Sequence, residues 1–193
     1  MDFLPVFLDI RRRNTVVIGG GDVAARKVDL LLRAGAEVGV VSPDLCASLQ
    51  RRAADGQIRH TGRPYAEGDL AGARLVVAAT DNGEVNRQVA RDAEGLGIPV
   101  NVADNPEIGS YIVPSIVDRS PVLVAVSTGG ASPVLARLIR TRLESLIPAG
   151  YGRLAELASR FRNEVKTRFS NPVDRRRFWD RVFEGSVAER VFS

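Results

Sequence analysis

The stretch Val16-Val17-Ile18-Gly19-Gly20-Gly21-Asp22-Val23-Ala24 decides the fold, because it runs a β-branched apolar segment through three glycines into a segment of helical period. It contains a G-x-G-x-x-A pattern between a predicted strand and a predicted helix, the context that a dinucleotide-binding fingerprint requires. Gly19 permits the tight turn, Gly21 lets the backbone approach a pyrophosphate, and Ala24 lets the helix pack closely on the strand. The unbonded N–H groups and positive dipole end of that helix suit phosphate oxygens. A bare structural turn is the alternative.

Outward from this stretch, short β-branched runs alternate with longer helical patterns, the mark of βαβ units and a parallel sheet. The runs predict strands at residues 15–18, 37–41, 58–61, 75–79 and 100–102, and a further one near 111–113. Helices are predicted at 23–34, 43–54 and 84–96. The first has Val23, Leu30, Leu31 and Ala34 on one face, with Gly35 as its C-terminal stop. The fold class is therefore α/β, with a Rossmann-type parallel sheet.

Ligands of such sheets bind at the carboxyl edge. The second strand ends there in Ser42-Pro43-Asp44. Asp44 lies slightly beyond the usual place of the ribose-binding acid and could instead cap the next helix. No arginine follows directly to meet a 2′-phosphate, which favours NAD over NADP. The fourth strand ends in Thr80-Asp81, where Asp81 could serve a ligand or cap a helix. The fifth leads to Asp104, a carboxylate able to take a proton while a hydride leaves for the cofactor. An Asx-turn before Asn105-Pro106 is the competing reading. A second glycine-rich turn, Ser127-Thr128-Gly129-Gly130-Ala131, enters a helix at Ser132-Pro133 and could offer the amides of Thr128 and Gly129 to an anionic substrate.

Composition narrows the classes further. Among 193 residues, Cys46 is the only cysteine and His60 the only histidine, so neither an internal disulfide nor a Cys/His metal cage can form within one chain. His60 is expected to be a solvated strand residue and Cys46 a packing residue within a helix. The longest apolar runs fall far short of the ~18 residues of a membrane helix, and the N-terminus reverses the order of a secretory signal, so a cytoplasmic protein is expected. The formal net charge is +4, and it resides in the last 43 residues, with 10 Lys/Arg against 6 Asp/Glu; residues 1–150 balance at 17 of each. Nearly all basic side chains are arginine, which suits carboxylates and phosphates. Nucleic-acid binding by Arg175-Arg176-Arg177 is not expected, since the adjoining Phe178 and Trp179 fit a helical core face.

Pro114, Pro121 and the polar turn Asp118-Arg119-Ser120 mark a change of pattern after residue 113. The expected domains are a Rossmann domain at 1–113, a small α+β dimerisation domain at 114–147, and a helical C-terminal domain at 148–193. Val122 to Val126 is a continuous apolar run, which implies burial on both faces. Either it joins the main sheet or a second chain covers it, and a homodimer through this segment is expected.

The ordered series of motifs resembles the precorrin-2 dehydrogenase module of siroheme synthases. The residues that carry the likeness are Leu4 to Phe7, Gly19 to Ala24 with Arg26-Lys27, Ala78 to Asp81, Asn101-Val102 with Asp104, Pro114 to Pro121, Ser132 to Arg137 and Arg175 to Trp179. The resemblance covers essentially the whole chain. It implies NAD-dependent oxidation of precorrin-2 to sirohydrochlorin by a homodimer, and it raises Fe2+ insertion as a second reaction, with Fe2+ as substrate and no resident metal. It matches Asp104 to the family's proposed catalytic residue and Asp22, Val23, Pro43 and Asp44 to its cofactor site. Many siroheme synthases continue into a methyltransferase domain, whereas this sequence stops at Ser193, so a stand-alone dehydrogenase and a fragment both stay open. A non-catalytic NAD-sensing module is the rival in another class.

Overall fold

Five short parallel strands form one sheet: β1 (Asn14–Ile18), β2 (Glu37–Val41), β3 (Ile58–Thr61), β4 (Leu75–Ala78) and β5 (Val100–Val102), in the order β3-β2-β1-β4-β5. The computed structural model describes residues 1–103 and 105–192. Packing divides it into two units, Met1–Val113 and Pro114–Ser193.

In the first unit, helices α1 (Asp22–Arg33), α2 (Ala47–Ala54) and α3 (Gly83–Gly95) connect the strands. Side chains alternate across a strand, so both faces of a covered sheet must be apolar. Val17, Val40 and Val77 lie in one layer with Ala24, Val28 and Leu31 of α1 and Leu49 of α2. Val16, Ile18, Val76 and Val100 lie in the other with Val89 and Ala93 of α3. The chain moves outward from β1 to β3, then returns to place β4 on the far side of β1. That reversal puts the switch point between β1 and β4, where an open α/β sheet has its ligand crevice.

Three local expectations change. The buried stripe of α1 is Ala24, Ala25, Val28 and Leu31 rather than one through Val23, Leu30 and Ala34. The stripe is rotated by about one residue because Ala24, with no exposed surface, sits directly against the sheet. Helix α2 starts at Ala47, not at 43, because residues 43–46 run beside the glycine turn before the helix begins. Residues 111–113 form no strand; Ser110 and Tyr111 instead donate their N–H groups to the Val100 carbonyl beside β5.

In the second unit, β6 (Ser115–Arg119) and β7 (Val122–Val126) make an antiparallel hairpin, followed by α4 (Pro133–Leu146), α5 (Gly150–Arg168), α6 (Pro172–Glu184) and α7 (Ser186–Phe192). Thus β7 joins a two-stranded sheet of its own. It alternates in burial rather than being covered on both faces, and Leu123 is 42% exposed within the single chain. The supposed turn at Asp118-Arg119 belongs largely to β6. Ser132 caps α4 by accepting the Leu135 N–H at 3.2 Å, with Pro133 at the first helical position.

The segments expected as separate domains pack together here. Arg119 ties the hairpin to the end of α4 by donating from Nε to the Ile147 carbonyl at 2.9 Å, filling one of the orphan acceptors of a helix C-terminus. Gly152 of α5 lies against the Arg119 backbone so closely that a Cβ would overlap its carbonyl oxygen. Gly150 leaves room for the Phe192 ring, which meets Tyr151 edge-on at 5.0 Å between centroids. On α6, Phe178 and Trp179 are half-buried in an aromatic row with Phe169 and Phe183, rather than forming a fully buried core face.

Gly152→Ala forces backbone to move from backbone, so it is expected to lower unfolding stability by about 1–3 kcal/mol, the usual cost of overpacking. Denaturant unfolding of the purified variant measures this; a midpoint equal to that of the parent contradicts the placement of α5.

Candidate functional site

Three strand ends converge on the glycine turn. Gly19 follows β1, donates its N–H to the Val41 carbonyl of β2 at 3.0 Å, and has φ +122°, in the region that favours glycine. A Cβ there would overlap the Ala79 carbonyl at the end of β4. Gly20 accepts the Cys46 N–H at 2.7 Å, and a Cβ on it would overlap the Asp44 carbonyl. Sequence reasoning gave Gly20 no role, since the fingerprint leaves that position open; its contact with the loop after β2 is long-range.

Gly21 differs from both. Its φ of −83° suits any residue, and nothing lies within 4 Å of where its Cβ would be. It is the N-cap of α1, and no side chain caps that helix. The first bonded amide is that of Ala25, which reaches the Gly21 carbonyl at 3.0 Å. Asp22 and Val23 therefore present first-turn N–H groups beside open space at the positive end of the helix. Helices α3, α4 and α6, by contrast, are closed by Asn82, Ser132 and Asn171. An uncapped turn with an empty cradle fits an anion such as a pyrophosphate.

At the end of β2, Ser42 is buried and its N–H donates to the Thr61 carbonyl at 3.2 Å. Its carbonyl accepts from His60 Nε2 at 2.9 Å, so the exposed His60 is not merely solvated. Pro43 and Asp44 are exposed at this edge. Asp44 does not cap α2, whose N-cap is Cys46 with no side-chain bond to the first-turn amides. Cys46 thus precedes the helix rather than sitting within it, packed against the core layer of α1 and α2.

At the end of β4, Thr80 is held by two asparagines. Asn86 Oδ1 accepts from Thr80 Oγ1 at 2.7 Å and from Thr80 N at 3.2 Å, while Asn86 Nδ2 donates to the Thr80 carbonyl at 2.9 Å. Asn82, not Asp81, caps α3, accepting the Glu84 and Val85 N–H groups. Both asparagines escaped sequence reasoning. Asn82 could have been found as an N-cap type directly before a helix, and Asn86 as an amide at an otherwise apolar helical position.

Asp104 lies outside the described residues. Before it, Ala103 donates its N–H to the Ala78 carbonyl at 2.8 Å, continuing the β4–β5 ladder. Nearby, Asn101 Nδ2 donates to the Tyr111 carbonyl at 3.0 Å. Burial pushes the Tyr111 phenol up, so that ring stays protonated and offers no base. In the second unit, the turn at Thr128 and Gly129 spends part of its donors internally: the Gly129 N–H goes to Ser127 Oγ at 3.0 Å, Ala131 N–H to the Thr128 carbonyl at 3.1 Å, and Ser132 N–H to Thr128 Oγ1 at 3.0 Å. The turn is therefore a poorer anion cradle than its glycines suggested. Among the described residues, no three His, Cys, Asp or Glu side chains group as metal ligands, and no helix is long and apolar enough to cross a membrane.

Comparison with known proteins agrees with this geometry. Residues 6–115 match the family model described as "Putative NAD(P)-binding", residues 119–146 the model for the sirohaem biosynthesis protein central region, and residues 150–193 that for the sirohaem synthase dimerisation region. The chain is 56% identical over 197 residues to a siroheme synthase of Nitrosospira multiformis and 56% identical over 193 residues to one of Methylobacillus flagellatus. All of this chain aligns, with 42% and 41% of those proteins. It thus spans about two fifths of the length of the curated relatives it matches. Among solved structures it is similar to SirC, a precorrin-2 dehydrogenase, with TM-score 0.75 and 26% identity, covering 98% of this chain and 96% of that one.

The contrast between neighbouring glycines is testable. Gly21→Asp should leave unfolding stability within ~0.5 kcal/mol, as an open surface position does, yet abolish NAD+ binding by calorimetry. Gly20→Ala should instead destabilise the fold, because backbone occupies its Cβ position. Normal NAD+ affinity in Gly21→Asp would contradict the placement of the phosphates.

Proposed function

The chain belongs to the NAD(P)-binding family whose model spans residues 6–115, and from that premise we propose that it is an NAD-dependent dehydrogenase that oxidises precorrin-2 to sirohydrochlorin in siroheme biosynthesis. The observation that carries this reading is the end-to-end likeness to a precorrin-2 dehydrogenase, 96% of whose chain is covered. The open, uncapped start of α1 is the physical counterpart, since it has the shape and polarity for a dinucleotide.

In this proposal Gly19, Gly21, Asp22 and Val23 surround the pyrophosphate, and Ser42, Pro43 and Asp44 line the adenosine end. Thr80 serves the other half of the cofactor. Bound NAD+ supplies the hydride acceptor. Ring dehydrogenation also releases a proton, and Asp104 is the carboxylate proposed to take it. Precorrin-2 is ringed by carboxylates, for which an arginine-rich chain is suited. Thr128 and Gly129 are proposed to border the substrate. Insertion of Fe2+ into sirohydrochlorin is proposed as a second reaction of the same site. The reaction is proposed to run in the cytoplasm.

The active form is proposed to be a homodimer joined through the second unit. Leu123 of β7 and Val134, Leu135, Leu138 and Ile139 on one side of α4 are exposed in the single chain, and so large an apolar face on a small unit calls for a cover.

An anaerobic absorbance time course with enzymatically generated precorrin-2 tests the activity. NAD+-dependent appearance of the sirohydrochlorin spectrum is expected, and Fe2+ added afterwards should change it faster than without protein. Asp104→Ala should retain NAD+ affinity within a few-fold while losing about 100-fold or more in turnover, the scale of a lost general base. Unchanged turnover removes Asp104 from the mechanism, and a flat spectrum despite NAD+ binding favours a sensor. For the assembly, sedimentation should give twice the 20.9 kDa chain mass, and Leu138→Glu should shift it to monomer; a parent that is monomeric at micromolar concentration contradicts the dimer.

A further inference from the structure

Asn86 lies on the apolar face of α3 and is 7% exposed, and among the described residues its side-chain hydrogen bonds go to one residue, Thr80. A neutral amide has one acceptor oxygen and a two-proton donor nitrogen. Here Oδ1 takes the Thr80 amide and hydroxyl protons, and Nδ2 grips the Thr80 carbonyl. Such a clamp leaves the Thr80 hydroxyl with a defined polarity. Its single proton has an internal acceptor, Asn86 Oδ1 at 2.7 Å or, at 3.0 Å, the Asn82 carbonyl. One lone pair receives the Asn82 N–H at 3.2 Å, so what remains for a ligand is the other lone pair.

We propose that Asn86 is a positioning residue that presents Thr80 Oγ1 as a hydrogen-bond acceptor for a donor on the nicotinamide half of the dinucleotide. This rests on the NAD-binding reading above and extends it. A phosphate oxygen has no proton to give and meets only lone pairs at Thr80, so the pyrophosphate is not its partner. The donors of NAD+ are its ribose hydroxyls, the adenine amino group and the carboxamide amino group. The adenosine half belongs at the end of β2, and the pyrophosphate at the start of α1 after β1. In the order β3-β2-β1-β4-β5, the end of β4 lies across β1 from β2 and receives the opposite half. The ribose hydroxyl and the carboxamide N–H of that half share the chemistry Thr80 accepts.

Calorimetric titration of the full chain with NAD+, ADP-ribose and ADP tests this. Thr80→Val should weaken NAD+ by about 3- to 10-fold, the scale of one neutral hydrogen bond, leave ADP unchanged, and be rescued by Thr80→Ser. Asn86→Ala should match Thr80→Val, and the double variant should be no weaker than either alone, because both remove one coupled contact. If ADP-ribose weakens along with NAD+, the donor is the ribose hydroxyl; if NAD+ weakens alone, it is the carboxamide. Equal weakening of ADP and NAD+, or no weakening of any ligand in Thr80→Val, overturns the proposal. Normal NAD+ affinity in a folded Asn86→Ala also overturns it, and should that variant fail to fold, Asn86→Leu, which suits the apolar face of α3, is read in its place. Failure of the NAD-binding reading itself shows differently, as a parent protein that binds neither NAD+ nor ADP.

Discussion

Backbone meets backbone where β1 ends. The Ala79 carbonyl after β4 and the Asp44 carbonyl after β2 approach Gly19 and Gly20 so closely that no side chain fits at either position. Most of the carboxyl edge follows from that crowding. It draws the loop after β2 against the glycine turn through the Cys46–Gly20 bond, and it holds the end of β4 beside Gly19. The start of α1 lacks a capping side chain for a separate reason: its N-cap, Gly21, is a glycine with open space at its Cβ position. A turn built only from glycine backbone cannot close the helix behind it, so the first-turn amides remain for a ligand. Steric necessity at Gly19 and Gly20 and anion capacity at Gly21 thus lie side by side in one turn.

The polar edge around this turn is organised by asparagine rather than by charge. Asn82 closes α3, Asn86 grips Thr80, and Asn101 holds the Tyr111 carbonyl. Neutral amides fix loops by satisfying donors and acceptors in pairs without placing a fixed charge near an anionic ligand. A carboxylate at position 86 could accept the Thr80 protons but could not donate to its carbonyl. The amide therefore explains the geometry better than a general preference for polarity at a helix start.

Most of the first unit was legible in the sequence because its signals are local. β-branched runs of four or five residues, a glycine turn, and Gly35 at φ +76° after α1 each declare themselves within a few positions. What escaped depends on distant partners: the rotation of α1, set by the contact of Ala24 with the sheet; the late start of α2, set by the path past Gly20; and the Thr80–Asn86 clamp. The hairpin of the second unit was half-read, since Ser115 to Arg119 is mixed in character and becomes a strand only by pairing with Val122 to Val126. At the Thr128–Gly129 turn the sequence could not show that the Gly129 and Ser132 N–H groups are taken up by the neighbouring Ser127 and Thr128 hydroxyls. Asp104 was read from its place past the fifth strand, with an Asx-turn as the alternative, and then through resemblance; it lies outside the described residues.

The central claim is that the uncapped first turn of α1 receives the dinucleotide phosphates. Residue-resolved amide hydrogen exchange, with and without saturating NAD+, tests it most directly, since these amides have no acceptor within the helix. The account predicts that NAD+ slows exchange at Asp22 and Val23 by about tenfold or more, as new acceptors reach their N–H groups. Exchange at Asp22 and Val23 that stays unchanged while NAD+ protects another part of the chain would contradict it.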